Sequence, residues 1–171
     1  MNFLELAKER YAVRAFKDTP VEEEKIATIL EAAKLAPTAC NYQPQKIYVV
    51  KSEEKRKALA ALTPCTFNSP VVFVVGYDSE RSAKGMIYDG HDFGDTDAAI
   101  VCTHMMLEAH DLGLGSCWVG YFNEAQVKAA LEIPENIRVR DLLPVGYPAE
   151  NAAPAPLHSK YREMDDMVKT L

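Results

Sequence analysis

Apolar residues recur three or four positions apart in several segments of this chain, the spacing that places side chains on one face of an α-helix. In residues 2–10 they cluster on one side, which predicts a short N-terminal helix. Residues 26–33 repeat the pattern after the stretch from Thr19 to Glu22, which is typical of a capping box with proline in the first helical position. We therefore expect a second helix that begins near Thr19 and is stopped by Pro37.

Three further helices follow from the same pattern. Residues 53–62 have helical spacing, and residues 95–112 carry apolar side chains around most of the helix, which predicts a nearly buried helix. Gly113 is placed to end that helix, since glycine readily adopts the left-handed conformation of a C-terminal stop. Residues 123–126 resemble a capped helix start, and we expect that helix to end near Pro134.

Runs of β-branched and aromatic residues predict the strands. They cover residues 46–50, 71–77, 116–121 and 142–147. The second run is continuously apolar, as in a strand buried on both faces, so it is expected in the centre of the sheet. Pro144 lacks a backbone N–H and favours an edge position for the last strand.

Helices and strands that do not alternate strictly predict an α+β sandwich. The length of 171 residues is enough for one core, and we expect a single domain over residues 1–171. The Pro- and Ala-rich residues 148–156 cannot build a core of their own. They would have to run over another surface, for example that of a partner subunit.

Composition narrows the function classes. The formal charge is −6, from 19 Lys and Arg against 25 Asp and Glu, so no global positive field favours nucleic acid or an anionic membrane surface. Neither a membrane-spanning apolar run nor a signal peptide is recognisable, and we expect a cytoplasmic protein. The cysteines are widely separated, so they are expected to be reduced and partly buried rather than zinc ligands or a redox dithiol.

Two segments carry candidate binding chemistry. Arg10 and Arg14 could present two guanidinium groups to one phosphate, although two arginines are also common on a solvated face. In the loop from Pro37 to Pro44, neutral side chains could hold hydroxyl and carbonyl groups of a ligand, although a plain turn has a similar composition. The loop residues with this chemistry are Thr38, Asn41 and Gln43.

Taken together, these pieces resemble the FMN-dependent nitroreductase family over nearly the whole chain. The opening Arg-Arg-Ser-x-Arg pattern of that family corresponds to residues 10–14, and its Pro-Ser/Thr-x-x-Asn-x-Gln-Pro loop is intact at residues 37–44. Asp97, residues 113–120 and residues 144–148 match in order and spacing.

The resemblance implies a three-layer α/β/α sandwich with a mixed, mainly antiparallel central sheet and an extended C-terminal arm. It also implies a homodimer with FMN at its interface. The implied cofactor-binding residues are Arg10, Tyr11, Ala12, Arg14, Pro37, Thr38, Asn41, Gln43, Cys117, Trp118, Val119, Gly120, Lys160 and Arg162. The basic residues would grip the phosphate, the loop would line the ribityl chain and ring, and the backbone around Val119 and Gly120 would approach the flavin N5.

Two positions depart from the family pattern. Tyr11 replaces the second arginine and Ala12 replaces the serine, so one charge and one hydroxyl are missing from the expected phosphate site. Arg10, Lys160 and Arg162 are expected to compensate.

Other chemistries are less favoured by the sequence. Gly113 and Gly115 follow a predicted helix rather than a strand, which argues against a dinucleotide fingerprint. A metal site is conceivable from the acidic residues and histidine of residues 89–97, but a polar loop leading into a helix explains them better. Among the histidines, His104 and His110 are expected to be structural, and His91 is the candidate for a substrate role.

The expected activity is transfer of hydride from NADH or NADPH to FMN and then to a small electron-poor acceptor, such as a nitroaromatic compound or a quinone, in a ping-pong mechanism. The cofactor supplies the chemistry, so no catalytic side chain and no metal are predicted. Two alternatives stay open: a flavin storage or sensor protein, and a specialised relative such as a reductive dehalogenase.

Overall fold

The computed structural model describes residues 2–85 and 90–171. Its helices are α1 (Phe3–Glu9), α2 (Glu23–Leu35), α3 (Glu53–Leu62), α4 (Gly94–Asp111), α5 (Glu124–Leu131) and α6 (Met164–Met167). Its strands are β1 (Gln45–Val50), β2 (Val71–Asp78), β3 (Gly115–Ser116) and β4 (Ile137–Gly146). Every predicted helix is present, and Gly113 follows α4 with a positive φ of 75°, as its predicted role as a stop requires.

The strands form one antiparallel sheet in the order β1-β2-β4-β3. All residues of β2 are buried, and β2 lies between β1 and β4, which confirms its central position. Within residues 2–85 and 90–171, the one parallel contact is an isolated bridge between Ala12 and Ser116, where the N-terminal segment runs beside β3.

Helices cover both faces of the sheet. Phe73 and Val75 of β2 pack in one apolar cluster with residues of α2 and α4. Val72 and Val74 point to the opposite face, where they pack with Leu59 of α3 and Val127 of α5. This alternation along one strand produces two cores and confirms the three-layer α+β sandwich.

The prediction of an edge strand at Pro144 was wrong. The strand β4 extends from Ile137 to Gly146 and is internal, paired with β2 on one side and β3 on the other. The carbonyl of Pro144 accepts from the N–H of Cys117 at 3.2 Å, so the missing N–H of this proline faces the β3 side. The regular β3 strand is only two residues long, and the ladder with β2 loses no donor.

The predicted start of one helix and the predicted length of one strand also need correction. The capping box at Thr19 is wrong, because α2 begins at Glu23 and Glu22 makes no side-chain cap. The Glu22 carboxylate instead accepts the hydroxyl of Tyr147 at 2.8 Å, a tertiary contact that competes with capping. The strand predicted over residues 116–121 is regular only over Gly115–Ser116, with a further bridge from Val119 to Leu142.

No helix among the described residues is long and apolar enough to cross a membrane. The cytoplasmic location stays a prediction.

Candidate functional site

Arg10 and Arg14 lie on a segment that leaves α1 and runs beside β3. The N–H of Val13 donates to the carbonyl of Ser116 at 2.9 Å, which fixes the segment against the strand. Within residues 2–85 and 90–171, neither guanidinium group has a salt-bridge or hydrogen-bond partner. Two arginines without partners on one fixed segment are therefore available for an anion.

Both arginines lie near Cys117. Burial raises the pKa of the Cys117 thiol, while the charges of Arg14 and Arg10 act in the opposite direction by favouring the thiolate. The same two charges thus act on one position of the segment that follows β3. The half-buried Tyr11 and Ala12 lie between them, and neither adds a positive charge.

The C-terminal tail returns to this region. The Nε2 atom of His158 lies 3.1 Å from the carbonyl oxygen of Lys8, and its ring meets the ring of Tyr11 edge-on with centroids 6.2 Å apart. Lys160 and Arg162 are exposed and follow His158 by two and four residues, so their Cα atoms lie within about 7 Å and about 14 Å of the Cα atom of His158.

The loop of residues 37–44 is folded on itself. Thr38 Oγ1 accepts from the N–H of Gln43 at 3.1 Å, and Gln43 Nε2 donates to Asn41 Oδ1 at 3.0 Å. Cys40, Asn41 and Gln43 all have positive φ values, between 50° and 54°. This conformation is costly for residues other than glycine and is typical of sites where function constrains the backbone.

Asp97 holds this loop to the start of α4. Its Oδ1 accepts from the N–H of Ala39 at 2.8 Å, while Oδ2 has no hydrogen-bond partner among the described residues and Asp97 is only 1% exposed. Burial raises the pKa of Asp97, and the bond from Ala39 only partly offsets that effect. The sequence placed Asp97 in the first turn of a helix, which is confirmed, but not in contact with the loop.

Asp97→Asn is expected to change how stability depends on pH. Because the pKa of Asp97 is raised in the folded protein, folding takes up a proton between the unfolded pKa of about 3.9 and the folded pKa. The free energy of unfolding of the parent therefore falls as pH rises through that interval, by at most about 1.4 kcal/mol per pH unit from this group. Urea denaturation at several pH values should show the Asn variant gaining stability relative to the parent as pH rises.

Asn151→Gln offers a control at an exposed position that carries no ionisable group, so its stability relative to the parent should not change with pH. If the difference in unfolding free energy between Asp97→Asn and the parent did not change with pH, the raised pKa of Asp97 would be contradicted.

The segment after β3 keeps the register of the sheet. Ser116 pairs with Val145, and Val119 bridges Leu142, so the next step places Gly120 opposite Asp141. A β-carbon added to Gly120 would meet nothing within 4 Å. The backbone at Gly120 is therefore open to a ligand on this side of the sheet.

Trp118 lies on the same side, and its indole N–H donates to the carboxylate of Asp141. Asp141 is buried, and burial raises its pKa although the bond from Trp118 lowers it. Sequence reasoning missed Asp141. A carboxylate beside the apolar run of residues 142–146 was the available signal, because buried carboxylates usually have a specific partner.

The remaining predictions concern metals and histidines. No cluster of His, Cys, Asp or Glu within the described parts of the chain could hold a metal ion, and Asp89 lies outside them. His104 Nδ1 lies 2.9 Å from the carbonyl oxygen of Ile100, which agrees with its predicted structural role. His91 is exposed with its ring edge-on to Phe93, and its substrate role stays a prediction.

The structure joins the predicted residues in two groups. The arginine segment is bonded to residues 116–117, and the loop of residues 37–44 is bonded to α4; no hydrogen bond between described residues joins the loop to the arginine segment. Guanidinium groups suit a phosphate, amides suit hydroxyl and carbonyl groups, and the open backbone at Gly120 suits a flat ring. The donor set fits a phosphorylated ligand with a planar ring.

Comparison with known proteins supplies the family. The Nitroreductase family model matches residues 7–67 and 60–147. An FMN reductase [NAD(P)H] of Bacillus subtilis is 29% identical over 163 residues, covering 85% of this chain and 65% of that protein. A nitroreductase family protein of Clostridium difficile is 34% identical, with a TM-score of 0.92 and full coverage of both chains.

A nitroreductase of Desulfovibrio desulfuricans, solved in complex with FMN, is 25% identical with a TM-score of 0.84. The match covers 100% of this chain and 98% of the Desulfovibrio desulfuricans chain. This chain belongs to the nitroreductase family.

Proposed function

We propose that this protein is an FMN-dependent oxidoreductase that passes electrons from NADH or NADPH to a small electron-poor acceptor. The observation that carries the proposal is the attachment of Arg10 and Arg14, which have no partner in the described part of the chain, to the same strand segment that leaves the backbone open at Gly120. A phosphate held by the arginines would leave a planar ring free to extend along that segment.

Each part of the site has a role in this proposal. Arg10 and Arg14 bind the phosphate together with Lys160 and Arg162, and Tyr11 and Ala12 lie beside it. The loop lines the ribityl chain and ring edge with neutral groups from Pro37, Thr38, Asn41 and Gln43. Cys117, Trp118, Val119 and Gly120 form the strip that faces the ring. The chemistry that bound FMN would supply is two-electron transfer, as hydride from the nicotinamide and then on to the acceptor.

The relatives support this cofactor. The relative from Bacillus subtilis is an FMN reductase that uses NAD(P)H, and the structure from Desulfovibrio desulfuricans contains FMN. The residues of this chain need only bind, orient and partly shield the ring.

Nicotinamide and acceptor would occupy one open face above Gly120 in turn. One site cannot hold both planar molecules against the same ring, so the nicotinamide must leave before the acceptor binds. Steady-state kinetics should then give parallel double-reciprocal lines, and intersecting lines would contradict the shared site.

The working form in this proposal is a homodimer that completes the flavin site. Most of the predicted binding residues are exposed in one protomer, among them Arg14, Asn41, Gln43 and Gly120. An apolar groove of about 720 Å³ between α1, α2 and α4 is lined by Phe3, Leu6, Leu35 and Leu107. A stable FMN-loaded monomer in sedimentation would contradict this arrangement.

The direct test is the visible spectrum of the purified protein. A yellow protein that releases FMN on denaturation, and whose flavin is bleached rapidly by NADH or NADPH, supports an enzyme rather than a flavin store. Failure to bind added FMN would exclude the proposal. A panel of acceptors that includes halogenated phenols then separates a general reductase from a dehalogenase.

Gly120→Val is expected to weaken FMN binding about fivefold, roughly 1 kcal/mol, while leaving the free energy of unfolding within about 0.5 kcal/mol. The added carbons enter open space in the protein but crowd a bound ring. Fluorescence titration with FMN and urea denaturation measure the two effects. Ala129→Val, at an exposed position of α5 outside the site, is the control and should change neither the affinity nor the spectrum.

A further inference from the structure

Trp118 is partly exposed although its polar atom is satisfied inside the protein. Trp118 is 37% exposed, while its indole N–H donates to the carboxylate of Asp141, a residue that is 8% exposed. An indole without such a bond would be free to change its side-chain rotamer at the surface. The bond therefore fixes the orientation of the exposed ring.

Asp141 has few other partners to explain its burial. The charge of its neighbour Arg140 also lowers the pKa of Asp141, but the Arg140 guanidinium pairs with Asp95 at 3.1 Å rather than with Asp141. Burying a carboxylate costs free energy unless it is hydrogen-bonded, and the indole N–H of Trp118 is the one side-chain donor to Asp141 among the described residues. Burial of the Asp141 carboxylate is thus unfavourable in itself, and its effect in the structure is to fix the orientation of Trp118.

The sheet register places this pair beside the open backbone. Side chains two apart on an extended segment point to the same face, so Trp118 lies on the face that Gly120 leaves open. Asp141 is opposite Gly120 and completes that face from β4. The space above Gly120 is therefore bordered by an indole ring and the carboxylate that holds it.

We propose that Asp141 is a positioning residue that holds Trp118 as one wall of the acceptor site, where the indole selects planar aromatic acceptors. This inference rests on the proposed function. Aromatic pairs in offset or edge-to-face contact gain free energy beyond their buried area, which a small non-aromatic acceptor cannot obtain. A ring fixed in advance also loses less conformational entropy when the acceptor binds.

The anchoring is testable in the protein without cofactor, because Trp118 is the only tryptophan. Asp141→Leu removes the carboxylate that accepts the hydrogen bond from the indole N–H. We expect the emission maximum of Trp118 to shift to the red and acrylamide quenching to rise about threefold. Asp141→Asn keeps an oxygen that can accept the bond, so its emission and quenching should stay close to those of the parent. Unchanged fluorescence in Asp141→Leu would overturn the anchoring.

The selectivity is tested in the FMN-loaded protein with two neutral acceptors, nitrobenzene and dioxygen. We expect the ratio of the KM for nitrobenzene to the KM for dioxygen to rise about tenfold in Asp141→Leu, which corresponds to about 1.4 kcal/mol. The ratio should recover in Asp141→Asn. An equal change in both KM values would contradict the role of Trp118 in selecting aromatic acceptors.

A second pair of variants keeps the test decisive if Asp141→Leu does not fold. Trp118→Phe retains an aromatic face, whereas Trp118→Leu removes it, so only the leucine variant should raise the KM ratio about tenfold. Equal ratios in the two variants would overturn the selectivity.

The two hypotheses fail in different ways. If NADH and NADPH do not bleach the flavin of the parent protein, the proposed function and the acceptor wall both fall, while the fluorescence result still decides the anchoring. If bleaching is rapid and the KM ratio is unchanged, only the wall is wrong.

Discussion

Replacing both Arg10 and Arg14 by alanine is expected to raise the Kd for FMN about 100-fold or more. A hydrogen bond to a charged group contributes about 1.5–3 kcal/mol, and loss of two such donors exceeds the roughly 2.8 kcal/mol of a 100-fold change. Neither guanidinium has a partner among the described residues, so the apoprotein should lose less than about 0.5 kcal/mol of unfolding free energy. Fluorescence titration measures the affinity.

Riboflavin provides the sharpest control, since it has the same ring and ribityl chain without the phosphate. The double variant should bind riboflavin as well as the parent does. A similar loss for riboflavin and FMN would show that the arginines act on something other than the phosphate. Arg81→Ala, at an exposed turn after β2, controls for the loss of positive charge.

The C-terminal basic pair is tested in the same assay. Arg10→Ala combined with Lys160→Ala is expected to weaken FMN binding far more than it affects folding, because Lys160 is two residues from His158, which contacts the end of α1. Equal FMN affinity in this double variant would refute a shared phosphate site.

Gly115→Ala is expected to lower the free energy of unfolding by about 1–3 kcal/mol and to weaken FMN binding about tenfold. A β-carbon at Gly115 would lie 2.6 Å from Cγ2 of Val13 and 2.9 Å from its Cβ. Val13 is buried and lies between the two arginines, so relief of the clash moves the segment that carries them. Urea denaturation and FMN titration measure the two effects.

A compensating substitution separates displacement of the arginines from general destabilisation. Val13→Ala removes both γ-methyl groups, including the one 2.6 Å from the new β-carbon, but leaves Cβ of residue 13 at 2.9 Å. The clash is therefore relieved in part, so FMN should bind more tightly to Gly115→Ala/Val13→Ala than to Gly115→Ala alone. The two substitutions are in contact and are expected to couple rather than add. Simple additivity of the two effects on affinity would contradict the clash.

The sequence by itself determined most local structure. Residues 53–62 have helical periodicity, and the structure has α3 over those positions, with Ser52 as a side-chain cap. The continuous apolar run of β2 predicted a central strand, since only a strand covered on both faces tolerates that composition. The ordered matches to the nitroreductase family also identified the candidate binding residues, because these residues lie in short motifs that can be recognised from the sequence without knowledge of tertiary contacts.

The tertiary structure decided the contacts that join distant residues. Pro144 is tolerated inside the sheet because its carbonyl, and hence its missing N–H, faces the short β3 side, which no local pattern reveals. The predicted capping box at Thr19 does not form, and the Glu22 carboxylate instead accepts a hydrogen bond from Tyr147, 125 positions away. Asp97 and Ala39 are 58 positions apart, and Trp118 and Asp141 are 23 apart. Such pairs depend on which faces of the sheet and helices meet, and local periodicity carries no information about that. Local periodicity therefore identified the candidate segments, whereas tertiary packing determined the partner of each side chain.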